Sequence, residues 1–173
     1  MHIVELTATK VAAHLEDLID LLADAIDGGA SVSFMRSTTR DQLRAFWAQI
    51  EGEARAGATR LVAAFDGERL IGVVTLRLGT PPNQPHRADV AKLLVLRSAR
   101  RRGIGRALMT ALDEVARDAQ RSLLVLDAVT GGAAAQLYTA LGWTRVGEIP
   151  DYALFPDGTF CDTTVFYKRL APP

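Results

Sequence analysis

The sequence predicts an α/β fold, a mixed sheet flanked by helices. Three patterns carry that prediction. Two segments with an apolar face at helical period open the chain. Two strand-like runs joined by a tight turn come next. The second half alternates strand, helix and a nearly continuous apolar strand. At 173 residues the chain is a normal size for one domain and tight for two, so residues 1–173 are expected to form a single domain. Apolar residues make up 49% of the chain. A domain of this length should bury roughly 70% of the surface its unfolded chain exposes.

Ile3 to Leu6 reads as a short strand. Residues 10–27 read as one helix, because Val11, Leu15, Leu18, Leu22 and Ile26 fall on one face, with Gly28 or Gly29 as the stop. A second helix starts at Thr39, where Thr39 and Gln42 fit a capping box, and ends at Gly57. Leu61–Phe65 and Leu70–Leu78 flank Asp66-Gly67, a hairpin signal. Val90–Leu96 reads as a strand, residues 103–119 as a helix and Leu123–Val129 as a buried strand. That order makes a βαβ unit with parallel pairing. A short helix over 133–141 and two strands, Trp143–Ile149 and Phe160–Leu170, complete the chain.

The bulk numbers exclude several function classes. Twenty basic residues balance twenty acidic ones, so no whole-protein field attracts nucleic acid or an anionic membrane. The residues after Met1 lack a charged region followed by an apolar stretch, so no secretory signal is expected. No apolar run approaches the roughly 20 residues that span a bilayer. A single cysteine, Cys161, excludes an internal disulfide framework and suits the cytoplasm; it reads as a small hydrophobe. His2 and His14 read as surface residues and His86 as a solvated loop residue, and nothing has metal-ligand spacing.

The most informative segment runs from Leu93 to Met109, where a strand enters a basic, glycine-bearing turn that opens a helix. A helix N-terminus presents unpaired N–H donors and partial positive charge, which suits phosphate. Gly103 and Gly105 lack a Cβ, so a phosphate oxygen can approach the backbone, and Arg100, Arg101, Arg102 and Arg106 add charge. A dinucleotide fingerprint needs a third glycine where Leu108 stands, and a P-loop needs a Gly-Lys-Ser/Thr that is not there. Basic residues at a helix N-terminus oppose its dipole, which favours an anionic ligand over a plain surface helix. The five arginines within 97–106 form a compact cluster without interleaved aromatics, unlike a nucleic-acid stripe.

Arg100-x-x-Gly103-x-Gly105 after a strand resembles the coenzyme A motif of the GNAT N-acetyltransferases. Lys92-Leu93-Leu94-Val95 upstream and Leu137-Tyr138 with Gly142-Trp143 downstream resemble further family positions. The stretches 88–95 and 29–34 resemble the tabtoxin-resistance group of small-molecule acetyltransferases. The resemblance implies a mixed, mostly antiparallel sheet of six to seven strands, splayed between strands 4 and 5 and flanked by about four helices. It implies acetyl-CoA as co-substrate, with no metal. The amides of Arg102, Gly103, Ile104, Gly105 and Arg106 would bind the pyrophosphate, and Leu94, Val95 and Leu96 would pair with the pantetheine arm. Many members carry an asparagine near the start of the fourth helix; Gly131 stands at that position here.

Acetyl transfer to an amine needs an uncharged amine, a polarised thioester carbonyl and a protonated leaving thiolate. An amine of pKa roughly 10.4 must lose a proton before it attacks. By resemblance, the Val95 amide donates to the thioester oxygen and Tyr138 is the general acid; the alternative role for Tyr138 is packing of the short helix. Asp89 and Asp127 are the base candidates, each able to take the proton, orient a water or attract a cationic amine. Asp127 sits near the C-terminal end of a strand, where ligands of parallel sheets gather. Their structural alternatives are a loop-end residue and a turn former. Phe34, Trp47 and Tyr152 are candidates to line the acceptor pocket, with core packing as the alternative, and two aspartates there would favour a cationic acceptor. The expected function is an N-acetyltransferase acting on a small-molecule amine, as a monomer or homodimer without nucleic-acid or membrane partners. A peptide acetyltransferase and a non-catalytic acyl-CoA binder are the rivals.

Overall fold

A computed structural model describes residues 1–171. In chain order the elements are β1 (His2–Leu6), α1 (Ala8–Ala13), α2 (Leu15–Asp27), α3 (Arg40–Arg55), β2 (Thr59–Asp66), β3 (Arg69–Arg77), β4 (Arg87–Val95), α4 (Ile104–Asp118), β5 (Leu123–Val129), α5 (Ala133–Ala140), β6 (Thr144–Leu154) and β7 (Phe160–Arg169). One seven-stranded sheet runs β1-β2-β3-β4-β5-β7-β6. Only β4 and β5 pair in parallel, and every other neighbouring pair is antiparallel.

The predicted helix over 10–27 is instead two, α1 and α2, broken at His14. The apolar period runs unbroken through the break, so it could not signal it. The His14 ring meets the Phe65 ring edge-on at 5.0 Å and bonds the Asp17 carboxylate at 3.1 Å, which holds the turn. His2, exposed as expected, stacks on the same ring at 5.3 Å, whereas His14 is half-buried rather than the surface residue expected. The break makes five helices where about four were expected.

At Thr39 the capping box forms as the sequence predicts, with Thr39 and Gln42 each satisfying the other's backbone N–H. Leu43, Trp47 and Ile50 of α3 then face the core, at 2%, 0% and 0% exposure. The hairpin also forms, with Asp66 opposite Arg69.

Two features of β4 set the shape of the sheet's centre. Its pairing with β5 covers only Arg87, Ala88 and Asp89, opposite Leu123, Leu124 and Val125. Beyond Asp89 the two strands diverge and leave an open edge. A bulge interrupts the β3–β4 register between Val73 and Thr75, and Lys92 within it has φ 52. That left-handed backbone costs roughly 1–2 kcal/mol for a residue with a side chain, and such strain gathers at functional sites.

Candidate active site

The turn from β4 to α4 is fixed at both ends. Arg97 donates from its backbone N and its Nε to the Asp24 carboxylate of α2, at 2.7 and 2.8 Å. Gly103 caps α4 with φ 77, a conformation that favours glycine, and the space its missing Cβ would fill is open. Gly105 also has a packing neighbour. A Cβ there would sit 3.1 Å from Leu137 Cδ2, so this glycine lets α4 and α5 approach. Ile104 is 2% exposed and belongs to the core, so only its backbone can meet a ligand.

Among the described residues, no protein group accepts from the amides of Arg101 to Arg106. The side chains of Arg101 and Arg106 are exposed, Arg102 pairs with Asp66 at 2.8 Å, and Arg100 Nε donates to Val95 O at 3.3 Å. Leu96 N donates to Ile71 O. Strand alternation therefore turns the Val95 amide the other way, toward the open edge of β4. Free amides, guanidinium groups and an open strand edge suit an elongated ligand with an anionic end.

The divergence of β4 and β5 opens a cavity of about 760 Å³. Leu94, Arg100, Asp127, Tyr138 and Phe155 lie on its wall, with the loop Ala30–Phe34 and Phe46 on the side of α2 and α3. A second cavity of about 340 Å³ adjoins it, bounded by Tyr152 and Leu154 of β6. Asp127, Ser31, Ser33 and Phe34 line both. Ser31 Oγ donates to Leu154 O at 2.8 Å and ties the loop to β6 as a roof over this junction.

The expected site residues separate into two groups. Asp127 and Tyr138 meet at the larger cavity. Asp127 is exposed to that space rather than buried in its strand. Asp89 lies on neither wall; it sits in the paired part of β4 and bonds Arg87 at 2.5 Å. Phe34 lines both cavities and Tyr152 the smaller. Trp47 corrects the expectation: it is fully buried core, and Phe46, edge-on to Phe34 at 5.3 Å, is the aromatic of α3 that faces the cavity. His86 is exposed, as the sequence suggests.

Tyr138 is 5% exposed, with its ring between Trp143 at 5.8 Å and Phe166 at 5.9 Å. Burial, helped by the negative charge of Asp127, pushes its hydroxyl pKa well above the ordinary tyrosine value. It is a donor that stays protonated.

Lys92 is the residue that sequence reasoning misses. Its Nζ donates to Val32 O at 2.9 Å and Ser33 Oγ at 3.0 Å, and lies 5.8 and 5.5 Å from the Phe34 and Phe46 ring centres. Burial pushes its pKa down to about 8; Arg77 adds to the fall and Asp127 opposes it. A signal exists, because Lys92 is the one charged residue within 90–96.

Residues 19–143 match the model of the acetyltransferase (GNAT) family. The chain also superposes on a ribosomal-protein-alanine N-acetyltransferase from Brucella melitensis, with TM-score 0.81, 23% identity and 98% and 100% of the two chains covered. It superposes on an N-acetyltransferase from Staphylococcus aureus Mu50, with TM-score 0.81, 19% identity and 99% and 100% covered. A third similar structure is yncA from Salmonella typhimurium with its cofactor acetyl-CoA, with TM-score 0.78, 19% identity and 98% and 94% covered. At these identities the superpositions establish the fold.

Proposed function

Because the chain belongs to the GNAT acetyltransferase family, we propose that it moves an acetyl group from acetyl-CoA to the primary amine of a small molecule, by direct attack with both substrates bound. The observation that carries this reading is the position of Asp127, on the wall shared by two adjoining cavities, the larger of which Tyr138 also lines. The larger cavity suits the thioester arm and the acceptor amine that meets it at Asp127, and the smaller gives room for the rest of the acceptor.

In this reading the free amides from Arg102 to Arg106 and the nearby guanidinium groups hold the diphosphate. The open edge at Val95, between Leu94 and Leu96, runs along the pantetheine arm. The Val95 amide donates to the thioester oxygen as charge develops there. Acetyl-CoA supplies the activated acyl group. Asp127 attracts the protonated amine and takes its proton, directly or through a water, so that nitrogen can attack. As the C–N bond forms and the C–S bond breaks, Tyr138 gives its proton to the departing sulfur and recovers one from solvent, and the new amide nitrogen releases its second proton to solvent. Asp89, held by Arg87 outside the cavity, takes no part in this scheme. The roof made by Ser31 and Leu154 supports a small acceptor over a polypeptide. The lone buried Cys161 fits a cytoplasmic setting.

A thiol-release assay tests the reading. Acetyl-CoA is offered with amino acids, polyamines and amine-bearing antibiotics. The expected result is amine-dependent CoA release with an N-acetyl product seen by mass spectrometry. Acetyl-CoA binding without amine-dependent release from any acceptor would favour the non-catalytic binder.

A further inference from the structure

Lys92 is costly to the fold twice over. Its backbone is left-handed, and its ammonium is largely withdrawn from water. A buried ammonium is normally matched by a carboxylate. Lys92 has none: among the described residues it forms no salt bridge, and its two bonded partners, Val32 O and Ser33 Oγ, are neutral. A lysine ammonium has three donors, so one remains.

Arg77, at the end of β3, lines the same cavity and also lacks a carboxylate partner among the described residues. Its positive charge reaches Lys92, as does the negative charge of Asp127. Asp127 in turn has no basic partner within salt-bridge distance among the described residues. Asp89, the second carboxylate that would have made the pocket anionic, is neutralised by Arg87 elsewhere. The larger cavity therefore presents two cations, Lys92 and Arg77, and one anion, Asp127, none of them paired with a described protein group of opposite charge.

We propose, building on the acetyl-transfer reading above, that the acceptor carries a free carboxylate beside its amine, with Lys92 and Arg77 receiving the carboxylate and Asp127 the ammonium. This replaces the purely cationic acceptor that two pocket aspartates would have implied. Charge-assisted bonds to a bound carboxylate would supply the anion that the buried ammonium lacks. A plain amine or polyamine would leave Lys92 unmatched and bring like charge against it.

The experiment measures kcat/KM for the standard L-amino acids, for their carboxamides and for the matching decarboxylated amines. Wild type, Lys92→Met and Arg77→Gln are compared, with acetyl-CoA binding followed separately by calorimetry. In wild type at least one amino acid should outpace its carboxamide by about tenfold or more, the scale of a charged hydrogen bond. Each substitution should shrink that ratio, Lys92→Met to about threefold or less, while acetyl-CoA still binds. Arg77→Gln serves as the second probe because Arg77 is exposed and does not hold the Ser33 loop. A wild-type panel in which no amino acid exceeds its amide, including one in which none reacts, overturns the proposal. So does a Lys92→Met variant that slows acid and amide equally, which would make Lys92 a loop clamp only. Failure of acetyl-CoA to bind at all is a different result and removes the acetyl-transfer reading itself.

Discussion

Tyr138→Phe is expected to slow amine-dependent CoA release about 10³-fold, within the range that one general acid supplies. Affinity for acetyl-CoA should stay within about twofold, because the turn and strand edge that hold it are untouched. Thermal stability should change little, since the ring keeps its packing against Trp143 and Phe166 and only one oxygen is lost. The pH profile sharpens the test. Burial and the charge of Asp127 both raise the pKa of this hydroxyl, so the group stays protonated through the working range. The wild-type rate should therefore show no alkaline decline owed to Tyr138. Steady-state thiol release from about pH 6 to 10, a range that brackets the ordinary amine and tyrosine values, checks this, with a melting curve for each variant. A near-normal rate for Tyr138→Phe would reduce Tyr138 to packing.

Asp127→Asn carries the second large effect, a loss of about 10²-fold in kcat/KM for the amine with acetyl-CoA affinity kept. Asparagine retains the size and loses both the attraction for an ammonium and the ability to take a proton. Because Asp127 lines both cavities, the loss should appear at every acceptor concentration rather than only in KM. The carboxylate also raises the pKa of Lys92 and of Tyr138, so its removal should lower both. Comparison of kcat and KM across pH for the two proteins measures all of this. An Asp127→Asn variant with unchanged kcat/KM would assign the proton to a water held by other groups.

Much of the fold is readable from local chemistry. Thr39 with Gln42, the Asp66-Gly67 hairpin and the run Leu123–Val129 each encode their structure within a few residues, and all three form where the sequence places them. The turn from β4 into α4 is readable for the same reason, because its glycines and arginines are contiguous. The features that escape depend on partners far along the chain. The break at His14 is set by Phe65 of β2, and no period in residues 10–27 can report it. Gly105 reads in the sequence as room for a phosphate, and its packing against Leu137 of α5 cannot be read there. Asp89 and Asp127 look alike as carboxylates in apolar strands. Only the point where β4 leaves β5 puts one in the paired region and the other on the cavity wall. Phe46 and Trp47 are adjacent, and which one faces the cavity depends on how α3 sits on the sheet. Lys92 stands in a family-like stretch, but its significance lies in the bulge that turns it toward Phe34 and Phe46.

The whole scheme depends on the amides between β4 and α4 gripping the diphosphate of the acyl donor. Calorimetric titration with acetyl-CoA, run beside acetyl-pantetheine, which carries the same thioester arm without the diphosphate, tests that grip most directly. The predicted result is saturable binding of acetyl-CoA and binding of acetyl-pantetheine weaker by about 10²-fold or more, the scale of several charge-assisted hydrogen bonds lost together. Equal affinity for the two, or a flat titration with acetyl-CoA, would contradict it.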